Sequence, residues 1–324
     1  MASTPTPSIW AAALALSLLA LTPASGVAAG AAAGRSVAEP VTSSLRIATY
    51  NVSAAQPVSS TVEDLRELTK ALPDVIALQE MASRERRNAV RAELVDCDTC
   101  AFDAYMPDPA IQGGTPILYR SDKYTLELEG SEQVTDDTYV GPQGAGPSTI
   151  RAKWVNWVQL RDNATGRLVS VLNNHFVPTV QAGDGGPNDQ RRRVEIYRKH
   201  MEGLVAEINR IKEETGGTVF VTGDLNVNYR NDSVEQATMF PYHALGAVGV
   251  HSSFRNVSVP EEGTHVLESG YSKRLIDYVL NLSRRSVSSD NHRIIFGLAS
   301  DHRALVSGYT LFGRGCFQRR QNIC

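Results

Sequence analysis

Apolar and polar positions along this chain switch between two periods. Residues 45–52, Leu-Arg-Ile-Ala-Thr-Tyr-Asn-Val, alternate and predict a strand. After a break at Gln56-Pro57 the period lengthens, and Val62, Leu65, Leu68 and Leu72 fall on one helical face. Ser60-Thr61-Val62-Glu63 has the form of a capping box ahead of that face, and Pro73 stops the helix. Val75-Ile76-Ala77-Leu78 is apolar throughout and predicts a strand buried on both faces. A second helix is expected after Ser83, with Val90 and Leu94 inward. Residues 116–119 and 124–128 predict a strand pair. Residues 149–160 and 167–176 alternate on a period of two around the turn Asp162-Asn163-Ala164-Thr165-Gly166. The longest helix is predicted over 189–212, with Val194, Tyr197, Met201, Leu204, Val205 and Ile208 on its buried face. Core strands are expected at 218–222, 275–282 and 304–311, and polar Gly/Pro-rich loops at 135–148 and 178–188. No repeat or low-complexity linker interrupts the chain after residue 45, so one α/β domain is expected over 45–312.

Composition changes this picture mainly at the ends. The first 34 of 324 residues carry no Lys, Arg, Asp or Glu. An apolar run over 9–21 leads into small residues, and Val27-Ala28-Ala29 and Ala29-Gly30-Ala31 suit cleavage of a secretory leader, although no basic side chain precedes the run. The expectation is a leader over 1–34, a short linker over 35–44 and an extracellular protein, with no stable membrane insertion and a monomeric state. Outside the cell the paired cysteines Cys97/Cys100 and Cys316/Cys324 read as two small disulfide loops, the second closing a tail over 313–324. With 42% apolar and 21% charged residues the chain is of globular type, which excludes a disordered, collagenous or polytopic membrane protein. Its formal net charge of −3 supplies no general field for nucleic acid. Any such contact rests on local clusters: Arg84 with Arg86-Arg87, Arg191 to Arg193, Lys273-Arg274 and Arg284-Arg285.

Several polar groups stand at the ends of strongly apolar strands. Asn51 ends the first, Gln79-Glu80 the second, and His175 follows the strand at 168–172. Gly223-Asp224-Leu225-Asn226 ends Val219-Phe220-Val221, Asp277 lies within Leu275-Ile276-Asp277-Tyr278-Val279-Leu280, and Ser300-Asp301-His302-Arg303 precedes the last strand. A carboxylate inside an apolar strand costs several kcal/mol unless it is paired or hydrogen-bonded. Asp277 therefore points to a partner.

These six pieces, in this order over residues 45–312, resemble the endonuclease/exonuclease/phosphatase superfamily, which includes pancreatic deoxyribonuclease, abasic-site endonucleases, neutral sphingomyelinases, inositol polyphosphate 5-phosphatases and the cytolethal distending toxin nuclease. The resemblance implies a four-layer α/β/β/α sandwich, two packed mixed β-sheets with helices on the outer faces. It also implies water attack on a phosphoester with a divalent cation, Mg2+ or alternatively Mn2+ or Ca2+. A hard cation of this kind takes one or two carboxylates and keeps its waters. Glu80 is the expected ligand, with Asn51 beside it and Asp301 helping to hold that ion or a second one. Asn51 and Asn226 can donate to a phosphoryl oxygen without adding charge. His302 is the candidate base, oriented by Asp277, and Asp224 orients or shares the same water. His175 stands where the family places a second acid/base group. Whether Asp224 or His302 takes the proton stays open in the sequence.

Arg151 is expected to aim at the phosphate from the strand before His175, with Trp154 beside it. A solvated helix start is the expected place of Arg191 to Arg193. Two departures bear on substrate: residues 111–114 offer no carboxylate to pair His175, and Ser53 occupies the place where abasic-site endonucleases carry an acid. The inositol phosphatase pattern is also broken, since Tyr229-Arg230 comes two residues late. The leading expectation is a secreted nuclease. A sphingomyelinase or small-molecule phosphodiesterase or phosphatase is the alternative within the family, and a non-catalytic binding module the alternative outside it.

Overall fold

The computed structural model describes residues 42–108, 114–141, 149–181, 191–266, 273–282 and 287–312. The expected leader, the Cys316/Cys324 pair and Arg284-Arg285 lie outside them. Strand β1 (Thr42–Asn51) begins three residues before the predicted start and is followed by α1 (Val58–Thr69), β2 (Val75–Gln79) and α2 (Arg84–Leu94). The chain continues through β3 (Phe102–Tyr105), β4 (Ile117–Arg120), β5 (Tyr124–Gln133), β6 (Thr138–Tyr139), β7 (Thr149–Ile150), β8 (Trp154–Asp162) and β9 (Leu168–His175). The long helix α3 (Arg191–Thr215) precedes β10 (Thr218–Asp224), α4 (Tyr229–Glu235), α5 (Pro241–Ala247), β11 (Val250–Ser252) and α6 (Ser253–Asn256). Strands β12 (Asp277–Leu282), β13 (Val287–Ile295) and β14 (Ala304–Phe312) complete it.

Two six-stranded mixed sheets carry the fold, ordered β13-β14-β1-β2-β4-β3 and β11-β12-β10-β9-β8-β5. Each contains one parallel pair at its centre, β1 with β2 and β9 with β10, while the other pairings are antiparallel. The alternation in β1 shows the layering. Leu45 and Ile47 join the large core shared with the second sheet, whereas Ala48 and Tyr50 pack with Leu65 and Leu68 of α1. Tyr197, Met201, Leu204 and Ile208 of α3 close the outer face of the second sheet. The architecture is the expected four-layer α/β/β/α sandwich.

Three local readings are corrected. The segments at 117–120 and 124–133 are not a pair: β4 joins β2 and β3 in one sheet, and β5 joins β8 in the other. The short turn between them is where the chain changes sheets. Helix α1 starts at Val58, behind Pro57 and without a side-chain cap, so Ser60 lies inside it. Pro57 is the N-cap residue and has no side-chain acceptor, so the first turn is left without a capping hydroxyl. Ser83 does cap α2, accepting from Arg86 N at 3.3 Å. The run expected over 149–160 is broken at residues 151–153, between β7 and β8.

Between the sheets the core turns polar toward one edge. Asn173 of β9 donates to Leu78 O at 2.8 Å and Pro116 O at 3.0 Å in the opposite sheet, and accepts from Gln79 Nε2 at 2.7 Å. All three side-chain groups are buried and hydrogen-bonded, so they cross-link the sheets instead of destabilising them. Two residues beyond Asn173 on the same face comes His175.

Candidate active site

Strand register brings the functional groups together. Asp224 ends β10 opposite His175 of β9 on one side and Asp277 of β12 on the other. Gly223 makes this approach possible. Its φ is +137°, and a Cβ there would sit 2.0 Å from Asn174 O, so only glycine fits before Asp224. Glu80 and Asn226 both hold positive φ, +63° and +54°, conformations costly for residues with a Cβ and typical of sites where function fixes the backbone.

Asp224 is the hub. Its Oδ2 lies 3.7 Å from Nε2 of both His175 and His302, and accepts from Asn51 Nδ2 at 3.1 Å, while its Oδ1 accepts from Asn226 N at 2.9 Å. Burial is the main cause that raises its pKa, with the neighbouring charge of Asp277 adding to it, against the pull of His302. His302 Nδ1 lies 2.9 Å from Asp277 Oδ2. Burial alone would lower the His302 pKa, but the charges of Asp277 and Asp224 outweigh it and push it up to about 10. His175 is held the other way. Burial first, then the charge of Lys153, lowers it to about 4, so its imidazole is neutral.

The asparagines differ from expectation in detail. Asn51 Nδ2 donates to both Glu80 Oε1 and Asp224 Oδ2 at 3.1 Å, and its Oδ1 accepts from Ser53 N at 3.0 Å. Both amide hydrogens thus join two carboxylates, leaving none for a phosphoryl oxygen. Asn226 Nδ2 donates to Phe176 O at 3.1 Å and keeps its second hydrogen. Glu80 Oε2 also accepts from Ala54 N at 2.6 Å. Ser300 Oγ donates to Asn51 O at 2.8 Å and accepts from His302 N at 3.0 Å, which binds the His302 segment to the end of β1.

Arg151 does not join this group. Its side chain is 87% exposed and pairs with Asp137 at 2.7 Å, because the break after Ile150 turns it outward. Lys153, which the sequence did not single out, lies among the site charges instead. Burial lowers its ammonium pKa to about 8, against the pull of Asp224 and Glu80. The arginine clusters are also reassigned. Arg86 donates to Ala54 O and Gln56 O, and Arg87 to Met81 O and Pro107 O, so both are buried braces of the Glu80 loop. Arg193 is buried too and donates to Thr179 Oγ1 at 2.9 Å, while Arg192 donates to Tyr139 O at 2.7 Å.

Among the described residues, two groups place three metal-ligand atoms within 4.8 Å of one another: Asp224, Asp277 and His302, and His265, Asp301 and His302. Glu80 belongs to neither. Its carboxylate, with Asn51 alongside, offers oxygen donors of the kind taken by a hard cation that keeps most of its water. The site also contains His265, which the sequence reading missed. Its ring meets that of His302 edge-on at 4.9 Å between centroids, and burial, with the charges of His302 and Arg274, lowers its pKa to about 4.

The profile of the Endonuclease/Exonuclease/phosphatase family matches residues 48–307. No curated protein matches the chain by sequence. Among solved structures, an endonuclease/exonuclease/phosphatase family protein from Bacteroides thetaiotaomicron is similar with a TM-score of 0.62 at 13% identity, over 87% of this chain and 99% of that one. A mannosyl-6-phosphatase from the same organism gives 0.60 at 14% identity, over 81% and 98%. D. rerio TDP2, complexed with single-strand DNA product, gives 0.57 at 15% identity, over 82% and 99%.

Proposed function

Because this chain belongs to the endonuclease/exonuclease/phosphatase family, whose members are metal-dependent phosphoester hydrolases, we propose that it is a secreted nuclease, cleaving phosphodiester bonds by water attack. The observation that carries the chemistry is Asp224, a buried carboxylate within 3.7 Å of two imidazoles of opposite protonation state.

Asp224 is the proton acceptor in this reading. Its raised pKa makes it a stronger base than a solvated carboxylate, and Asn51 and Asn226 fix its orientation. His302 then has a different role from the base suggested by sequence. Two carboxylates keep it protonated at neutral pH, so it donates to the phosphoryl oxygen where negative charge develops, with Asp277 holding its ring. His175, on the far side of Asp224, is neutral and serves as a hydrogen-bond donor. Lys153 offsets phosphate charge in place of Arg151. Glu80 with Asn51 would hold Mg2+, which supplies Lewis-acid neutralisation of the phosphoryl oxygens when bound.

Likeness to D. rerio TDP2, which was solved with single-strand DNA product, supports a nucleic-acid substrate. The buried arginines argue for a short one. Arg86, Arg87 and Arg193 are engaged in the fold, so those members of the basic clusters are not available to track a long duplex. Secretion is supported by the uncharged apolar leader, and no helix among the described residues is long and apolar enough to cross a membrane.

The test is hydrolysis of single-stranded DNA, plasmid DNA, sphingomyelin vesicles, mannose 6-phosphate and a chromogenic phosphodiester, with Mg2+ and with EDTA. Metal-dependent cleavage of DNA that Asp224→Asn abolishes is expected. Turnover confined to the monoester would replace the nuclease reading with a phosphatase. N-terminal sequencing of protein from culture medium tests the leader.

A further inference from the structure

His200 is fully buried on the apolar face of α3 and has no part in the reaction described above. Burial lowers its pKa well below the ordinary histidine value, so the ring is neutral. Its Nε2 lies 3.2 Å from Asn174 Oδ1. That oxygen can only accept, which places the proton on Nε2 and leaves Nδ1 bare. Among the described residues, neither Nδ1 nor Asn174 Nδ2 has a hydrogen-bond partner. Buried polar atoms of this kind cost stability that an apolar side chain in the same space would not. Packing alone does not account for a histidine here.

What the ring holds does account for it. Asn174 and Phe176 stand on either side of His175 in the chain, and His200 takes both. It bonds to Asn174, and it stacks on Phe176 with centroids 3.7 Å apart and planes within 2° of parallel. One and two turns back along the same stripe of α3 the grip continues. Tyr197 meets the Phe176 ring at 4.7 Å and donates to Leu225 O at 2.9 Å. Arg193 donates to Pro178 O at 3.2 Å and to Thr179 Oγ1 at 2.9 Å. Phe176 is also joined to the catalytic hub, since its N donates to Asp224 O at 3.0 Å and its O accepts from Asn226 Nδ2 at 3.1 Å.

We propose that His200 is a positioning residue for His175. By gripping the residues before and after it, the buried imidazole fixes where the His175 ring stands beside Asp224. His200 itself touches no reacting atom. The effect on hydrolysis rests on the role of His175 proposed above, whereas the clamp on the chain does not.

His200→Leu removes both the hydrogen bond and the stacked ring and keeps the space apolar. Hydrogen exchange tests the clamp without any activity. At a temperature where the variant is folded, the Phe176 amide should exchange at least about tenfold faster relative to the core amides of β1 in the other sheet. A general loss of stability would speed both alike. In the Mg2+-supported assay, kcat should fall about tenfold or more while KM stays within about twofold. In a His175→Ala background the same substitution should change kcat by less than about twofold, because residues that act through one another are not additive. His200→Phe keeps a ring on Phe176 and loses only the hydrogen bond, and it replaces the leucine variant, with the same pattern expected, if that one does not fold. Unchanged relative exchange in the folded variant, or a kcat loss that adds in full to that of His175→Ala, overturns the proposal. A chain that hydrolyses nothing, or a fully active His175→Ala, overturns the reaction proposed above, and the exchange arm then decides the clamp.

Discussion

Asp224 and Asp277 stand directly opposite one another on antiparallel β10 and β12, and both are buried. Facing carboxylates in a protein interior repel unless a cation divides them. His302 does so, with Nδ1 at 2.9 Å from Asp277 and Nε2 at 3.7 Å from Asp224. The arrangement explains why this histidine is a cation and why Asp224 remains available to a water molecule.

Removing the charge of Asp277 should therefore change a pH profile as well as a rate. His302 titrates at about 10 because Asp277 and Asp224 hold its proton against burial. If the imidazolium is the active form, activity falls as pH rises through that value. Asp277→Asn should move this alkaline limb down by a unit or more and lower kcat by about 100-fold or more, with little effect on KM. An alkaline limb that stays in place, or activity that rises through it, contradicts the assignment and returns the base role to His302.

Lys153 and Arg151 are two residues apart but face different surroundings. Lys153 feels Asp224 and Glu80, while Arg151 pairs with Asp137 in solvent. Lys153→Met should reduce kcat/KM by about 10- to 100-fold, the loss of one charge-assisted contact of about 1.5–3 kcal/mol. Arg151→Ala should change it less than twofold, because an exposed pair contributes little. Steady-state kinetics on one phosphodiester decides between them, and the reverse ranking restores Arg151 to the phosphate.

The sequence made the site legible where chemistry coincides with strand ends. Asn51, Glu80, His175, Asp224, Asp277 and His302 follow or interrupt apolar runs, and a sandwich gathers those ends at one edge. Features set by backbone path were hidden. Nothing in the alternation of 149–160 shows that the strand breaks after Ile150, and that break exchanges Arg151 for Lys153. Likewise, a triplet of arginines looks the same whether it meets solvent or, as with Arg86 and Arg87, backbone carbonyls of a neighbouring loop. His265 lacked a flanking apolar strand and so carried no periodic signal.

Asp64, inside α1, positions the His302 segment through Ala299 without touching His302 itself. Its Oδ2 accepts from Tyr50 OH at 2.5 Å and its Oδ1 from Ala299 N at 2.8 Å, so one carboxylate ties the residue before Asn51 to the residue before Ser300. Asp64→Ala leaves the buried Tyr50 hydroxyl unpaired and releases Ala299 N to solvent, and should cost about 1–3 kcal/mol of stability. At temperatures where the variant is still folded, kcat should fall while KM holds. Asp64→Asn, whose amide can serve both partners once the Tyr50 hydroxyl rotates, should restore most of kcat. A folded alanine variant with parental kcat removes the positioning role.

Asp232 gives the fold a pH dependence that lies outside the catalytic groups. It is fully buried on α4, with Oδ2 accepting from Tyr242 N at 2.7 Å and, among the described residues, no hydrogen-bond partner for Oδ1. Burial raises its pKa to about 7, from 3.8 in the unfolded chain. Between those values the native state keeps a proton that the unfolded state has released. Stability from this group is thus greatest below about pH 4, declines as pH rises through about 7, and is flat above, a total of roughly 4 kcal/mol. Asp232→Asn retains the acceptor for Tyr242 and cannot ionise. Its stability relative to the parent should improve by at least about 2 kcal/mol between pH 5 and pH 8, a difference in which the other titrating groups cancel. Urea unfolding of both proteins at the two pH values measures it. A relative stability that is unchanged, or that worsens at pH 8, shows that Asp232 is ionised in the native protein and that its charge is compensated.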